Sequence, residues 1–292
     1  MTTLCRPFRE LVLGFAVVLL AGPGAALSER AEPPQRIVSL TVCTDQLLLD
    51  LVPRERIAAV SYLATDPTLS MKAAEARGLK GVRGLAEEVL ALEPDLIIAQ
   101  EYSTTAAVNL LQRLGYRVVL VPLATDFESM RRGIRIIAHA VGEAARAEEL
   151  IAAFDKRLAA ARPSGPQRPT AVAYQVNSLA SGPGSLVDAA LQAAGFHNVA
   201  RDRPLGPGGR LPLEEIVADP PDLVVLANAP DEFRSTVGDN LRHPAFADVI
   251  ANRPHMQIEM PLWLCATPQI ADAVEELGAM RRSLLKSGAK HE

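Results

Sequence analysis

The sequence predicts an α/β protein of two Rossmann-like lobes, each on a parallel sheet, joined by one long helix. Three observations carry this. First, residues 87–98 reappear without a gap at 214–225. Glu87-Glu88 aligns with Glu214-Glu215, and Pro94-Asp95 with Pro221-Asp222. Each copy reads as an acidic-started helix, a proline–aspartate turn and a buried strand, so the chain repeats one structural unit. Second, nearly every residue of 127–161 favours a helix, and no proline interrupts it. Third, short apolar runs alternate with helical stretches on both sides, the pattern of a covered parallel sheet.

Taken in order, residues 36–40 read as a strand, with Thr44 or Asp45 as N-cap of a helix carrying Leu47, Leu48, Leu51 and Val52. A second strand spans 57–60. Residues 62–84 are polar and irregular, with a short helix near 71–76. The strand of the first repeat copy is 96–99. A helix at 106–114 ends at Gly115, and a strand follows at 118–121. Gly142 ends one helix and Glu143 opens the next, whose Ala147, Leu150, Ile151, Phe154 and Leu158 form an apolar stripe. The cluster Arg162-Pro163-Ser164-Gly165-Pro166 stops it.

Beyond that stop, 170–175 is a strand, and Ser181–Ser185 opens a helix at 186–194. Residues 201–211 form a glycine- and proline-rich loop. Strands follow at 223–226 and 257–260. Thr267 caps a final helix with Pro268 at its first position and Ile270, Ala273, Val274 and Leu277 as its stripe. The expected domains are 1–26 signal peptide, 36–126 N-terminal lobe, 127–162 interlobe helix region and 169–286 C-terminal lobe.

The formal charge of −4, without a basic run or stripe, excludes a nucleic-acid surface. Arg6 and Arg9 precede an apolar run at 11–21, too short to span a bilayer comfortably, and small residues follow. This predicts a cleavable export signal, with an uncleaved N-terminal anchor as the alternative, and a soluble exported protein. Cys5 lies too early to be a lipoprotein cysteine. Cys43 and Cys265 remain, in a compartment where a close pair oxidises.

Several stretches resemble one family. They are Arg36-Ile37-Val38-Ser39-Leu40 with its capping loop, the run at 87–97, the helix between lobes, the Ser181–Ser185 opening, and Trp263 five residues before Pro268. All are similar to the iron-chelate and vitamin B12 class of periplasmic binding proteins, class III of that fold. The resemblance covers nearly the whole mature chain and is specific for fold rather than ligand. It implies two α/β lobes on one rigid helix, ligand held between them, and delivery to an inner-membrane ATP-driven permease. A monomer with no intrinsic cofactor is expected. A single stiff helix also implies little lobe movement.

In such a fold the loops after the strands face the cleft. That nominates Cys43, Thr44, Tyr62 and Tyr102 from the first lobe. The second contributes Tyr174, Asn177, Arg210, Trp263 and Cys265. Aromatic faces suit a large planar or macrocyclic ligand, and Arg210 suits an anionic group on it. For Tyr174 a place in the core is the competing reading. By the resemblance, Cys43 and Cys265 approach the cleft from opposite lobes. Three readings stand side by side: an interlobe disulfide, free thiols touching the ligand, or small buried apolar groups. The resemblance also assigns Glu87 and Glu214 as docking contacts for arginines of the permease, against plain helix-end carboxylates.

No Cys-x-x-Cys, His-Glu-x-x-His or Gly-x-Ser-x-Gly is present, and the glycine-rich segments carry prolines where a phosphate loop needs N–H donors. An enzyme is not expected. His139, His197, His243, His255 and His291 are scattered, which argues against a carrier of bare zinc or manganese. The expected cargo is a corrinoid or an iron chelate, haem and siderophore included, with Tyr62 or Tyr102 available to haem iron. The alternatives are a bare-metal carrier, or an enzyme or sensor on the same two lobes.

Overall fold

A computed structural model describes residues 32–102, 105–227 and 238–288. The expected signal peptide lies outside these residues. The first lobe runs β1 (Ile37–Ser39), α1 (Val42–Leu51), β2 (Ile57–Ser61), α2 (Ala73–Ala76), β3 (Gly81–Val82), α3 (Ala86–Leu90), β4 (Leu96–Gln100), α4 (Thr105–Arg113) and β5 (Val118–Val121). Its sheet is wholly parallel, in the order β3-β2-β1-β4-β5. Two helices follow, α5 (Phe127–Val141) and α6 (Ala144–Ala160).

The second lobe contains β6 (Thr170–Tyr174), β7 (Leu179–Ser181), α7 (Leu186–Ala193), β8 (His197–Asn198), β9 (Gly208–Arg210), α8 (Leu213–Ala218) and β10 (Leu223–Leu226). It continues with α9 (Asp239–Arg242), α10 (Pro244–Asn252), β11 (His255–Gln257), α11 (Met260–Leu264) and α12 (Ile270–Gly288). Here β8, β6, β10 and β11 are parallel, and β7 and β9 extend the sheet antiparallel beyond β6. That extension replaces part of the loop expected at 201–211. The strand expected at 257–260 lies earlier, because Met260 already opens α11 with Pro261 in its first turn. No helix among the described residues is long and apolar enough to cross a membrane.

The two repeat copies fall in separate sheets, as α3–β4 and α8–β10. Their aligned aspartates do the same work. Asp95 accepts the backbone N–H groups of Gln35 (2.6 Å) and Arg36 (3.0 Å), tying β4 to the start of β1. Asp222 accepts from the N–H (2.8 Å) and hydroxyl (2.9 Å) of Thr170, tying β10 to the start of β6. In each lobe the turn before one strand thereby sets the register of its neighbour.

The expected rod is a pair of antiparallel helices. Gly142 ends α5 in a left-handed conformation (φ 80°), which a Cβ would disfavour. Arg135 and Glu148 pair through two contacts (2.7 and 3.0 Å), Arg131 reaches Asp155, and Phe127 meets Phe154 edge to face. Buried Arg56 holds the turn between the helices to the first lobe through Glu143 (2.6 Å) and the carbonyls of Val141 and Pro34. Arg157 of α6 binds Asp272 and Glu275 of α12 on the second lobe. Ala147, Ile151 and Phe154 of α6 belong to one apolar core that also takes Leu48 and Ile98 from the first lobe and Leu191 and Val274 from the second. The opposite face of each sheet has its own core.

Asp95→Ala and Asp222→Ala should each lower unfolding free energy by about 1–2 kcal/mol in urea melts, the worth of a hydrogen bond to a charged acceptor. The double variant should lose close to the sum, because the two ties lie in separate sheets.

Candidate functional site

In parallel α/β sheets the strand C-termini position functional loops. The disulfide fixes how these ends meet. Cys43, in the first turn of α1 just after β1, is bonded to Cys265, just after α11, with Cα atoms 5.0 Å apart. Of the three readings of these cysteines, the interlobe disulfide is the one the structure bears out, and no thiol is left at either position. A cavity of about 20 Å³ lies beside the bond, lined by Thr44, Leu47, Gln100, Val121, Met130 and Ala266. It has room for about one water.

On the first lobe's rim, Tyr62 follows β2 and is 56% exposed, and Tyr102 follows β4 and is 80% exposed. Leu123, after β5, is also exposed. The Arg83 guanidinium lies 6.0 Å from the centre of the Tyr62 ring, a cation–π contact. β3 brings them together by pairing Ser61 with Val82. A Cβ on Gly81 would stand 3.3 Å from the Tyr62 Cα, so a small residue is needed where the strands pass. Arg83 has no sequence signal of its own; only the β2–β3 register reveals it.

On the second lobe's rim, exposed Asn177 lies in a left-handed turn (φ 59°) between β6 and β7. Asn240 of α9 braces this turn, accepting from the Asn177 N–H and donating to the Gln175 carbonyl, both at 2.9 Å. Leu179 and Arg210 pair across β7 and β9 at the same end of the sheet, and both are exposed.

Four nominated residues are placed otherwise, the first being Cys265, fully buried in its disulfide. Thr44 is buried, its hydroxyl hydrogen-bonded with those of Ser39 (2.8 Å) and Thr41 (2.7 Å). Tyr174 is fully buried against Phe246, the core place already weighed for it. Trp263 is only 4% exposed and packs in the shared core, because α11 turns it inward where a loop was expected. The expected caps also differ. Thr41, not Thr44 or Asp45, stands at the N-cap of α1, and the Thr267 hydroxyl has no hydrogen-bond partner among the described residues.

Asp45 instead anchors the first turn of α1. Its carboxylate accepts the Ser61 N–H (3.1 Å) and hydroxyl, holding α1 against the end of β2. Burial pushes its pKa up to about 7 despite these bonds and one with Ser39, which pull it down.

Glu87 and Glu214 stand exposed in the first turns of α3 and α8. Their neighbours are committed: Glu88 accepts the Arg83 N–H (2.7 Å), and Glu215 binds Arg203 (2.5 Å). Neither Glu87 nor Glu214 has a partner among the described residues.

A family model described as periplasmic binding protein matches residues 37–259. A cobalamin-binding protein of Halobacterium salinarum is 28% identical over 209 residues, covering 70% of this chain and 56% of that one. The chain thus spans about half the length of that relative. Among solved structures, the periplasmic heme-binding protein RhuT from Roseiflexus sp. RS-1 superposes with a TM-score of 0.72 at 24% identity, covering 86% of this chain and 98% of that one. The periplasmic vitamin B12-binding protein BtuF of Vibrio cholerae does so with a TM-score of 0.65 at 17% identity, covering 87% and 99%.

Asp45 sets a pH dependence. Unfolded, it ionises near pH 4; folded, near 7. The folded state therefore holds the extra proton between these values. The stability Asp45 contributes is full below about pH 4 and is lost as pH rises through about 7. In melting curves across this range, the difference between native protein and Asp45→Asn should slope accordingly and flatten above about pH 8.

Proposed function

The chain belongs to the periplasmic binding protein family, and we propose that it captures a corrinoid or an iron chelate between its two rims for an ATP-driven permease. The observation that carries this reading is the exposed aromatic and apolar rim of the first lobe, Tyr62, Tyr102 and Leu123, while the cavity beside the disulfide holds only about 20 Å³. Such surface on a soluble protein marks a binding site, and ring faces suit a macrocycle. The disulfide leaves no thiolate at Cys43 or Cys265, which favours a preformed complex over a bare ion. The names of the relatives, one binding cobalamin and two binding heme or vitamin B12, support the same chemical class.

Within that class the rims favour a weakly charged cargo. Among the described residues, the arginines on them are Arg83, already engaged with Tyr62, and Arg210. A thermal-shift screen with cyanocobalamin, cobinamide, haemin and a ferric hydroxamate should raise the melting temperature with one of them. No shift with any would overturn the reading. With the ligand so found, Tyr62→Ala and Tyr102→Ala should each weaken affinity about tenfold, the loss of roughly 1.4 kcal/mol of ring contact.

Docking on the permease falls to Glu87 and Glu214. These carboxylates occupy matching places on the two lobes, and no internal contact among the described residues engages them. Exchanging both for lysine should abolish uptake by cells and leave ligand affinity within twofold. Unchanged uptake would remove them from the interface.

A further inference from the structure

Besides the α5–α6 pair and the apolar core the lobes share, two bonds join the lobes among the described residues, and both leave from α1. Cys43 is bonded to Cys265. Asp50 accepts a hydrogen bond from the Gln269 side-chain amide at 3.2 Å. Seven residues separate Cys43 from Asp50. They therefore lie on one face of the helix, about 10 Å apart along its axis. Asp50 is also the meeting point of all three bodies. Lys72 of the first lobe grips its carboxylate at 2.7 Å, and Arg146 of α6 donates to its backbone carbonyl at 3.3 Å.

A body fastened to another at one point tilts in any direction. With a shared core and a helix pair resisting separation everywhere, two such bonds single out the line through them as the axis of least resistance. Here that line runs along α1. We infer that α1 is the hinge pin on which the two lobes turn, with the disulfide as its rim-side end and the Asp50–Gln269 contact as its far end. Turning about this line moves Tyr62, Tyr102 and Leu123 towards or away from the second lobe's rim. Splaying the lobes apart at the disulfide would separate Cys43 from Cys265, and the covalent bond forbids it. The restraint on lobe motion therefore resides in α1 and not only in the stiffness of α6. The inference does not rest on the identity of the cargo.

The test uses ligand-free protein. X-ray scattering and amide hydrogen exchange are measured on the native chain, on the Cys43→Ser/Cys265→Ser double variant, on Gln269→Ala, and on the triple variant. Native protein reduced with dithiothreitol is a fifth sample. There the reagent closes to its cyclic disulfide and passes two electrons and two protons to the cysteines. Its agreement with the double variant shows that the substitutions themselves do no harm, and it serves in place of any variant that fails to fold. Freeing the rim-side end should raise exchange at residues 42–46 and 260–267 at least tenfold and enlarge the radius of gyration. Gln269→Ala alone should raise exchange near residue 50 and leave the radius unchanged. The triple variant should open furthest. A double variant that melts lower but scatters as the native chain does would overturn the hinge and leave a merely stabilising bond. A Gln269→Ala variant as open as the triple variant would overturn the role of the disulfide.

Discussion

The structure depends on one shared apolar layer. On one face of each sheet its own helices, α1 in the first lobe and α7 and α12 in the second, pack together with α5 and α6. Each keeps a private core on one side and gives the other to a common core running through α6. Ala147, Ile151 and Phe154 form the buried stripe of that helix, and α5 lies beside it, contributing Met130, Ile134 and Ile137. The lobes are thus held by buried apolar area, which has no direction. Direction comes from Arg56 of the first lobe, which binds the turn of the helix pair, and from Arg157 of α6, which binds carboxylates of the second lobe. This division lets two similar half-molecules share a layer without merging their sheets.

Much of this was legible in the sequence because it rests on local signals. The repeated acidic helix, proline–aspartate turn and strand placed α3–β4 and α8–β10 correctly, and the aligned Asp95 and Asp222 prove to perform the same task. Gly142 and Gly115 end helices in the left-handed conformation expected of them. The short β3, β7, β8 and β9 were missed, since two- and three-residue strands carry no periodicity. Tyr174 and Trp263 were drawn to the site by being scarce aromatics near strand ends. Their direction depends on which face of β6 and α11 is covered, and that is a tertiary fact. Thr44 shows the same limit: a hydroxyl in a rim loop reads as available until Ser39 and Thr41 are seen to claim it.

The disulfide marks where local reading ends. Its two cysteines lie 222 residues apart, and no pattern in the chain pairs them. Once formed, the bond changes what neighbouring residues mean. It borders a cavity of only about 20 Å³ around Thr44, Gln100 and Ala266, while Tyr62, Tyr102 and Leu123 stand exposed on the first lobe. It also explains why a carboxyl is tolerated at buried Asp45. The first turn of α1 must stay fixed for Cys43 to meet Cys265, and hydrogen bonds from Ser61 to Asp45 hold that turn to β2. The cost of that anchoring is a pKa raised to about 7.

A pinned pair of lobes also bears on how affinity arises. Freely swinging lobes must be immobilised on binding, and that lost freedom is subtracted from every contact made. With two fastenings on α1, most of it is removed when the protein folds and oxidises. The rims then need few charged anchors to hold a ligand, because shape and ring contact act against a smaller entropic loss. This fits a first-lobe rim on which Tyr62, Tyr102 and Leu123 stand exposed. A closed 222-residue separation constrains the unfolded chain strongly in the loop-entropy account, by up to about 5 kcal/mol. The same bond that narrows lobe motion in the folded state therefore also removes alternatives from the unfolded one.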